Sequence, residues 1–444
     1  MTGESGRPTG LDRRTALALG LGLGAAGVIG VAGRAQARVR VRTSARIVIA
    51  GAGAGGLSMA SRLAAALDGA EITLVDPRAA HYYQPGFTLV GAGLKPASYV
   101  VSRTQDFVPR GVTLVAEEAA EIDPEANVLV TASGQRLAYD YLVVATGLEL
   151  HYGGIEGMDV KLIGTDGIGS VYASPEAARA TYEQMSAFAD RGGVGLFGRP
   201  AGEMKCAGAP LKYAFLTEDT LDRRGNRTKA DLHYFAHNKS LFGVPIVAEK
   251  VRMLFGERGI GAHYEHVLKA IDPGRKTATY VTPEGDVEHG YDFIHVVPPM
   301  RAPAVVRNSP LPWQEGPWAS DGWMEVDRST LRHTRYANVF AVGDIAGVPK
   351  GKTAASVKWQ VPVVTDHLIK EIDGSESQLA FNGYTSCPLI TRVGRAMLIE
   401  FDYNDNLTPS FPGLIAPLEE LWISWVMKET ALKPTYLAML RGNA

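Results

Sequence analysis

The chain has 444 residues, against a soft prior of about 100–200 per domain, so two or three domains are expected. Hydrophobic residues make up 46% and charged residues 21%, an ordinary globular balance that excludes disorder, collagen and coiled coil. With 45 basic against 47 acidic side chains, no basic excess exists to draw nucleic acid. Two cysteines exclude both a disulfide scaffold and a Cys-rich zinc or iron–sulfur site.

Arg13-Arg14 precede an uncharged run from Thr15 to Gly33, and Ala35-Gln36-Ala37 follows as a small-x-small cleavage site. Residues 1–37 therefore read as a signal peptide with a twin-arginine start. The alternative is a membrane anchor, but glycine dilutes the run and a cleavage site follows it. A twin-arginine start implies export of an already folded protein, here to the periplasmic face of a bacterial cytoplasmic membrane.

The first folded element is expected at Ala45–Ala50, a short apolar strand. Gly51-Ala52-Gly53-Ala54-Gly55-Gly56 follows at once, then a helical pattern to Leu67 and a strand, Ile72–Val75, ending at Asp76. This is G-x-G-x-x-G between a strand and a helix, with an acid placed for a ribose hydroxyl, so a dinucleotide is expected here. Gly51 allows the turn, Gly53 the approach of a pyrophosphate, and Gly56 the packing of helix on sheet. The helix N-terminus offers N–H groups to the phosphates.

Two later strands decide which dinucleotide. Tyr139–Gly147 ends in Ala145-Thr146-Gly147, and Asn338–Ala346 contains Gly343-Asp344. Both resemble signatures of the disulfide-reductase-like flavoproteins, which have two dinucleotide-binding domains. The resemblance implies FAD, with Asp344 on the ribityl chain and Asp76 on the adenosine ribose. The expected fold is α/β, with two Rossmann-like domains. The FAD domain is discontinuous, 45–150 plus 320–375, around an NAD-like insertion at 151–319. Residues 376–444 remain as a C-terminal region for redox cysteine, quinone and membrane.

Gly193–Gly198 also matches G-x-G-x-x-G, but its glycines precede or lie within a strand rather than follow it. Arg199-Pro200 comes next, which is no phosphate loop, so no nicotinamide site is expected. Histidines His233, His237, His263 and His266 lack carboxylate or cysteine companions at ligand spacing, and no metal is expected.

Cys206 lies in a loop entering a helix, and Cys387 lies beyond the second flavin segment. In an oxidising compartment such a pair reads as a structural disulfide; against a flavin it reads as a two-electron relay. Lys205 favours a thiolate at Cys206 if it points the same way.

Cys206–Pro210 and Tyr384–Leu389 resemble the two cysteine motifs of the sulfide:quinone oxidoreductases, most nearly the mitochondrial-type subgroup. Tyr82–Pro85, His295–Met300, Gly351–Val357 and Ile399–Tyr403 match in order, so the likeness runs from about Arg46 to Leu440. It implies that Gln84, Pro85, Lys352 and Thr353 join the cofactor site. It also implies that hydrosulfide attacks the disulfide, or a sulfur-bridged form of it, at Cys387. Cys206 then passes two electrons to flavin, and an unidentified acceptor removes the sulfane sulfur. Lys352 is the cation at the flavin N1/O2 edge unless it is a solvated surface lysine. The FAD is expected to be non-covalent, because both cysteines are committed to redox work. The export signal departs from the organelle presequences of that subgroup.

Leu414, Ile415, Leu418, Leu421, Trp422, Trp425 and Val426 form an apolar stripe at helical spacing. Lys433-Pro434 is expected to break this helix, with a second short one after it. The pair reads either as docked on the core or as lying in a membrane surface, where quinone enters. Phe401, Tyr403 and Trp422 are the expected quinone contacts, and a homo-oligomer is compatible with the sequence. The competing functions are the flavin subunit of a flavocytochrome c-type sulfide dehydrogenase, a NADH:quinone reductase, and a non-catalytic flavin-binding protein.

Overall fold

The computed structural model describes residues 40–444. The expected signal peptide, residues 1–37, lies outside them. Residues Val41–Ala444 form one compact unit.

The first sheet takes β1 (Arg46–Ala50), β2 (Glu71–Val75), β3 (Val112–Val115) and β4 (Tyr141–Val144). Helix α1 (Ala54–Ala66) connects β1 to β2. The second sheet takes β5 (Ile168–Gly169), β6 (Gly193–Gly198), β7 (Ala230–Ala236) and β8 (Ile260–Tyr264). Helix α2 (Ala209–Arg223) lies between β6 and β7. A separate antiparallel sheet follows, β9 (Val267–Asp272), β10 (Thr277–Thr282) and β11 (Gly285–Gly290). The chain then completes the second sheet with β12 (Phe293–His295) and the first with β13 (Val339–Ala341).

Both main sheets are parallel and five-stranded, in the orders β13-β4-β1-β2-β3 and β5-β12-β6-β7-β8. Parallel strands are covered on both faces, which is why β1 and β4 are runs of aliphatic residues with no polar alternation. The late return of β13 beside β4 makes the first nucleotide domain discontinuous. The glycines of β6 lie inside a strand, paired with β7, so they form no phosphate loop.

Helix α3 (Ala354–Ile372) follows the first sheet and is capped by the Thr353 hydroxyl, which accepts from Ser356 N at 3.1 Å. An antiparallel hairpin, β14 (Thr385–Arg392) and β15 (Arg395–Phe401), then carries Cys387 opposite Ile399.

The C-terminus departs from expectation. Residues Leu414–Leu421 are not helical: Leu421 is extended and bridges Ala396 of β15. Pro412 and Pro417 account for this, since a residue before proline is pushed out of the helical region. One helical run then continues from α4 (Trp422–Val426) through a π-turn (Met427–Ala431) to α5 (Leu432–Leu440). Pro434 lies inside α5 and breaks nothing. The wider π-turn falls where its ring would otherwise meet the Thr430 carbonyl. Tyr436, Met439 and Leu440 are buried, while Trp422 and Leu414 are 47% and 74% exposed. The tail is thus docked through one face and bare on another. None of the helices among the described residues is long and apolar enough to cross a membrane.

Candidate functional site

The first cradle forms where β1 runs into α1. Gly51 has φ +104°, and a Cβ there would collide with the Ala145 carbonyl; one on Gly56 would collide with Gly51. Gly53 instead faces open space, with the Arg78 guanidinium across it. Gly55 packs against Val342 of the neighbouring strand end. Asp76 closes β2, but its carboxylate is engaged: it accepts from Ala52 N at 2.7 Å and from Arg78 Nη2 at 2.6 Å. Burial alone would raise Asp76, and Arg78 holds it below the ordinary carboxylate value. Arg78, which the sequence reading missed, therefore sits over the phosphate loop and beside the ribose acid.

Ala145, Thr146 and Gly147 follow β4. Thr146 Oγ1 is buried with no hydrogen-bond partner, and Gly147, at φ +70°, borders open space. Gly343, at φ +85°, donates its N–H to Gln360 Oε1 at 2.7 Å. Asp344 comes next; none of the described residues donates a hydrogen bond to its carboxylate, which burial holds above the ordinary value against Lys205 and Lys352. An orphaned hydroxyl, an uncommitted carboxylate and glycines that no side chain could replace are the features of a cradle shaped for a dinucleotide.

Lys352 is buried, not solvated. Its Nζ donates to the Asp344 carbonyl at 2.6 Å and the Ala346 carbonyl at 3.0 Å, over the Trp323 ring. Burial pushes its pKa down to about 8 against Glu203, Asp344 and Asp321. Lys352 and the N-capping Thr353 stand together at the N-terminus of α3.

The cysteine pair joins this cradle through backbone. Cys206 N donates to Lys352 O at 3.0 Å, and Cys206 takes the left-handed conformation, φ +51°. Cys387 is 4% exposed, Cys206 is half-buried, and both are free thiols here. A Cβ at Gly208 would overlap the Cys387 sulfur, so that glycine makes room for it. Helix α2 packs on β14, and this brings the two cysteines to one place.

Lys205 is an electrostatic neighbour of Cys206 but makes no hydrogen bond to either sulfur. Its Nζ donates to Gln84 Oε1 at 2.7 Å. The cation at the sulfurs is Lys212, buried on α2, with Nζ 3.8 Å from Cys206 Sγ. Burial opposes its charge, yet Cys206 and Cys387 outweigh that and hold the ammonium above the ordinary lysine value. Burial pushes the Cys387 thiol up, with Lys212 opposing. A second buried lysine, Lys428, arrives from the π-turn. It donates to Pro85 O at 2.6 Å and is an electrostatic neighbour of Lys212, Cys206 and Cys387. Burial, and then Lys212, push its pKa down to about 7. One signal for Lys212 existed in the sequence: it is the lone cation in the otherwise apolar stretch Ala209–Leu216. Nothing local marked Lys428.

The expected quinone trio is not brought together. Phe401 is buried edge-on to Phe242, and Tyr403 donates to Arg328 O at 2.9 Å while its ring meets Phe381. Trp422 follows Leu421, which pairs with Ala396, about 16 Å along β15 from Phe401 at 3.3 Å per residue. Among the described residues no three His, Cys, Asp or Glu side chains are placed to hold a metal ion. His233 and His263 instead pair with each other, Nδ1 to Nε2, at 3.0 Å.

Residues 45–186 match the pyridine nucleotide-disulphide oxidoreductase family. The chain is 36% identical over 390 residues to the mitochondrial sulfide:quinone oxidoreductase of Dictyostelium discoideum, covering 87% of this chain and 84% of that one. It is 34% identical to the mouse mitochondrial sulfide:quinone oxidoreductase, covering 80% and 78%. The crystal structure of the sulfide:quinone oxidoreductase from Aquifex aeolicus superposes with a TM-score of 0.73 at 23% identity, covering 91% of this chain and 92% of that one. With relatives 36% and 34% identical over most of its length, the chain belongs to the sulfide:quinone oxidoreductase family.

Proposed function

We propose that this enzyme oxidises hydrogen sulfide to sulfane sulfur through Cys206 and Cys387 and delivers the electrons to membrane quinone by way of non-covalently bound FAD. The observation that carries this reading is the meeting of both thiols at Lys212, one peptide hydrogen bond away from the dinucleotide cradle. When bound, FAD supplies a two-electron acceptor that can later reduce a quinone. The cradle residues are Gly51, Gly53, Gly55, Gly56, Thr146, Gly343 and Asp344, with Lys352 and Thr353 beside them.

In the oxidised enzyme the two sulfurs are bonded to each other or through bridging sulfur. For the direct disulfide, hydrosulfide sulfur bonds to Cys387 Sγ, the S–S bond breaks, and Cys206 leaves as a thiolate. Lys212 holds the negative charge as it develops. The acceptor nucleophile then bonds to the sulfane sulfur, and Cys387 is released as a thiolate. Re-forming the disulfide from the two thiolates gives up two electrons, which FAD would take up when bound. Lys428, with its pKa near neutrality, is placed to hold the proton that hydrosulfide sheds.

NADH is not proposed as a donor. The cavity at the ends of β6 and β12 is 140 Å³, below the roughly 300–1,000 Å³ of ordinary small-ligand sites. For localisation we propose twin-arginine export and attachment to the periplasmic face of the cytoplasmic membrane through exposed Phe411, Leu414 and Trp422. Curated relatives include mitochondrial proteins and one from the bacterium Aquifex aeolicus, so they do not by themselves fix a compartment.

The test is sulfide-dependent quinone reduction by the purified enzyme, assayed beside NADH as donor and cytochrome c as acceptor. Quinone reduction with sulfide alone is expected. Turnover with cytochrome c but not quinone would replace this reading with the flavocytochrome one.

A further inference from the structure

The helical tail is fixed at both ends by separate contacts. Just before α4, Leu421 exchanges backbone hydrogen bonds with Ala396 of β15, at 3.0 and 3.2 Å. In α5, Tyr436 is bound to His81 at 2.7 Å, and Met439 and Leu440 are buried. Between these anchors the number of residues per turn decides which side chains face inward.

A uniform α-helix would not serve both anchors. At about 100° per residue, Ser424 and Lys428 centre on one direction, and Tyr436, Met439 and Leu440 on another about 90° away. Yet all of them are buried. The discrepancy is close to the turn of one residue, and one residue is what the π-turn adds: Leu432 N donates to Met427 O, five positions back. The extra residue brings both sets onto one side. Pro434 is placed to keep it there, because it has no N–H and its ring would meet the Thr430 carbonyl in a uniform helix. Pro434 and Thr430 are themselves exposed, so neither contributes core packing.

The π-turn delivers Lys428 to Pro85 O, where its charged and titratable neighbours are Lys212, Cys206 and Cys387. The other charged side chains of the turn and its flank are drawn elsewhere: Glu429 pairs with Lys95, and Lys433 donates to Tyr99 O. We propose that Pro434 is a positioning residue for sulfide oxidation: by holding the π-turn open, it lets α5 stay seated while Lys428 faces the two sulfurs. This rests on Lys428 taking the proton that hydrosulfide sheds. Without Pro434 the turn is free to tighten, and one set must then rotate away. Lys428 is the one to go, since burying an amine is costly and burying Tyr436, Met439 and Leu440 is favourable.

Reduction of the bound flavin by sulfide is followed by stopped flow across neutral pH in holoenzyme variants. Lys428→Met should slow it about 100-fold and remove the limb of the pH profile that the lysine supplies. Pro434→Ala should remove the same limb and slow reduction by at least about tenfold, with flavin content unchanged. Deleting Thr430 in the Pro434→Ala background takes out the extra residue, so a plain α-turn again puts both sets in phase; rate and pH limb should return. A wild-type profile in Lys428→Met would remove the proton role of the lysine itself. A wild-type profile in Pro434→Ala, with Lys428→Met slow, overturns the positioning role alone, as does failure of the deletion to rescue. Should Pro434→Ala not hold flavin, the deletion variant decides by the same two readouts.

Discussion

Lys212 is flanked on α2 by Leu211 and Tyr213, both fully buried, so its charge is kept in an apolar wall for the sake of the sulfurs. Lys212→Met keeps the volume and removes the charge. Reduction of the bound flavin by sulfide should slow by about 100–1,000-fold, the usual cost of losing one preorganised donor. Stopped-flow absorbance measures this, and an unchanged rate would show the lysine to be packing only. The cysteines should fail differently. Cys206→Ser removes the thiolate on the cradle side, so sulfide should no longer reduce the flavin. Cys387→Ser leaves Cys206 beside Lys212, so a long-wavelength thiolate–flavin band should persist at rest while turnover collapses. Near-normal turnover in both variants would return the pair to a structural disulfide. At this scale the glycines, Asp344 and both cysteines were legible because each sits in a local pattern. Lys205 stays an electrostatic neighbour of Cys206, but at φ +51° the backbone of Cys206 turns and the Lys205 ammonium donates to Gln84 rather than to a sulfur.

The C-terminal segment shows what periodicity can and cannot give. The spacing of Leu414 through Val426 is helical, yet Pro412 and Pro417 forbid the first half, and only the second half winds. The apolar character was real; the element was not. The consequence for attachment is that Phe411 and Leu414 project from a loop, with Trp422 at the start of α4. Phe411→Ser with Leu414→Ser should lower partition onto liposomes in flotation assays and leave bleaching of the flavin by sulfide unchanged. Equal partition would place the membrane contact elsewhere. Truncation after Glu420 is a different experiment, because it removes Lys428 from the sulfurs and Tyr436 from His81, to which it is bound at 2.7 Å. The truncated chain should lose sulfide reduction as well as attachment, so the tail is no detachable anchor.

At the scale of the molecule, burial keeps several histidines neutral. Burial pushes His81 and His333 down to about 4 and His295 to about 3. Each is lowered from an unfolded value near 6.5, so below that pH the unfolded chain binds more protons than the native one. Stability is therefore whole above about pH 6.5 and is lost as pH falls toward 4, by roughly 1 kcal/mol per pH unit for each such ring. The urea midpoint of the holoenzyme should drop across that window; a flat profile would mean these rings are charged in the native state. The first strand-turn-helix unit was legible from local order, whereas the second domain and the interruption of the first were expected from the resemblance of Tyr139–Gly147 and Asn338–Ala346 to flavoprotein signatures and from their spacing. What was not legible was the three-dimensional meeting of α2, β14 and the π-turn, because no local signal encodes a contact between residues 206, 387 and 428.

The last residues of the chain close upon some of the first. Ser61 Oγ donates to the Leu440 carbonyl at 2.7 Å, and Arg62 Nη2 to the Ala444 carbonyl at 3.0 Å. Helix α1, which presents the phosphate loop, packs on α3 and is covered on a further side by α5. Loosening of α5 would uncover that side of α1, so retention of the bound nucleotide becomes a readout of how firmly the tail is seated, although no tail residue needs to touch the nucleotide itself.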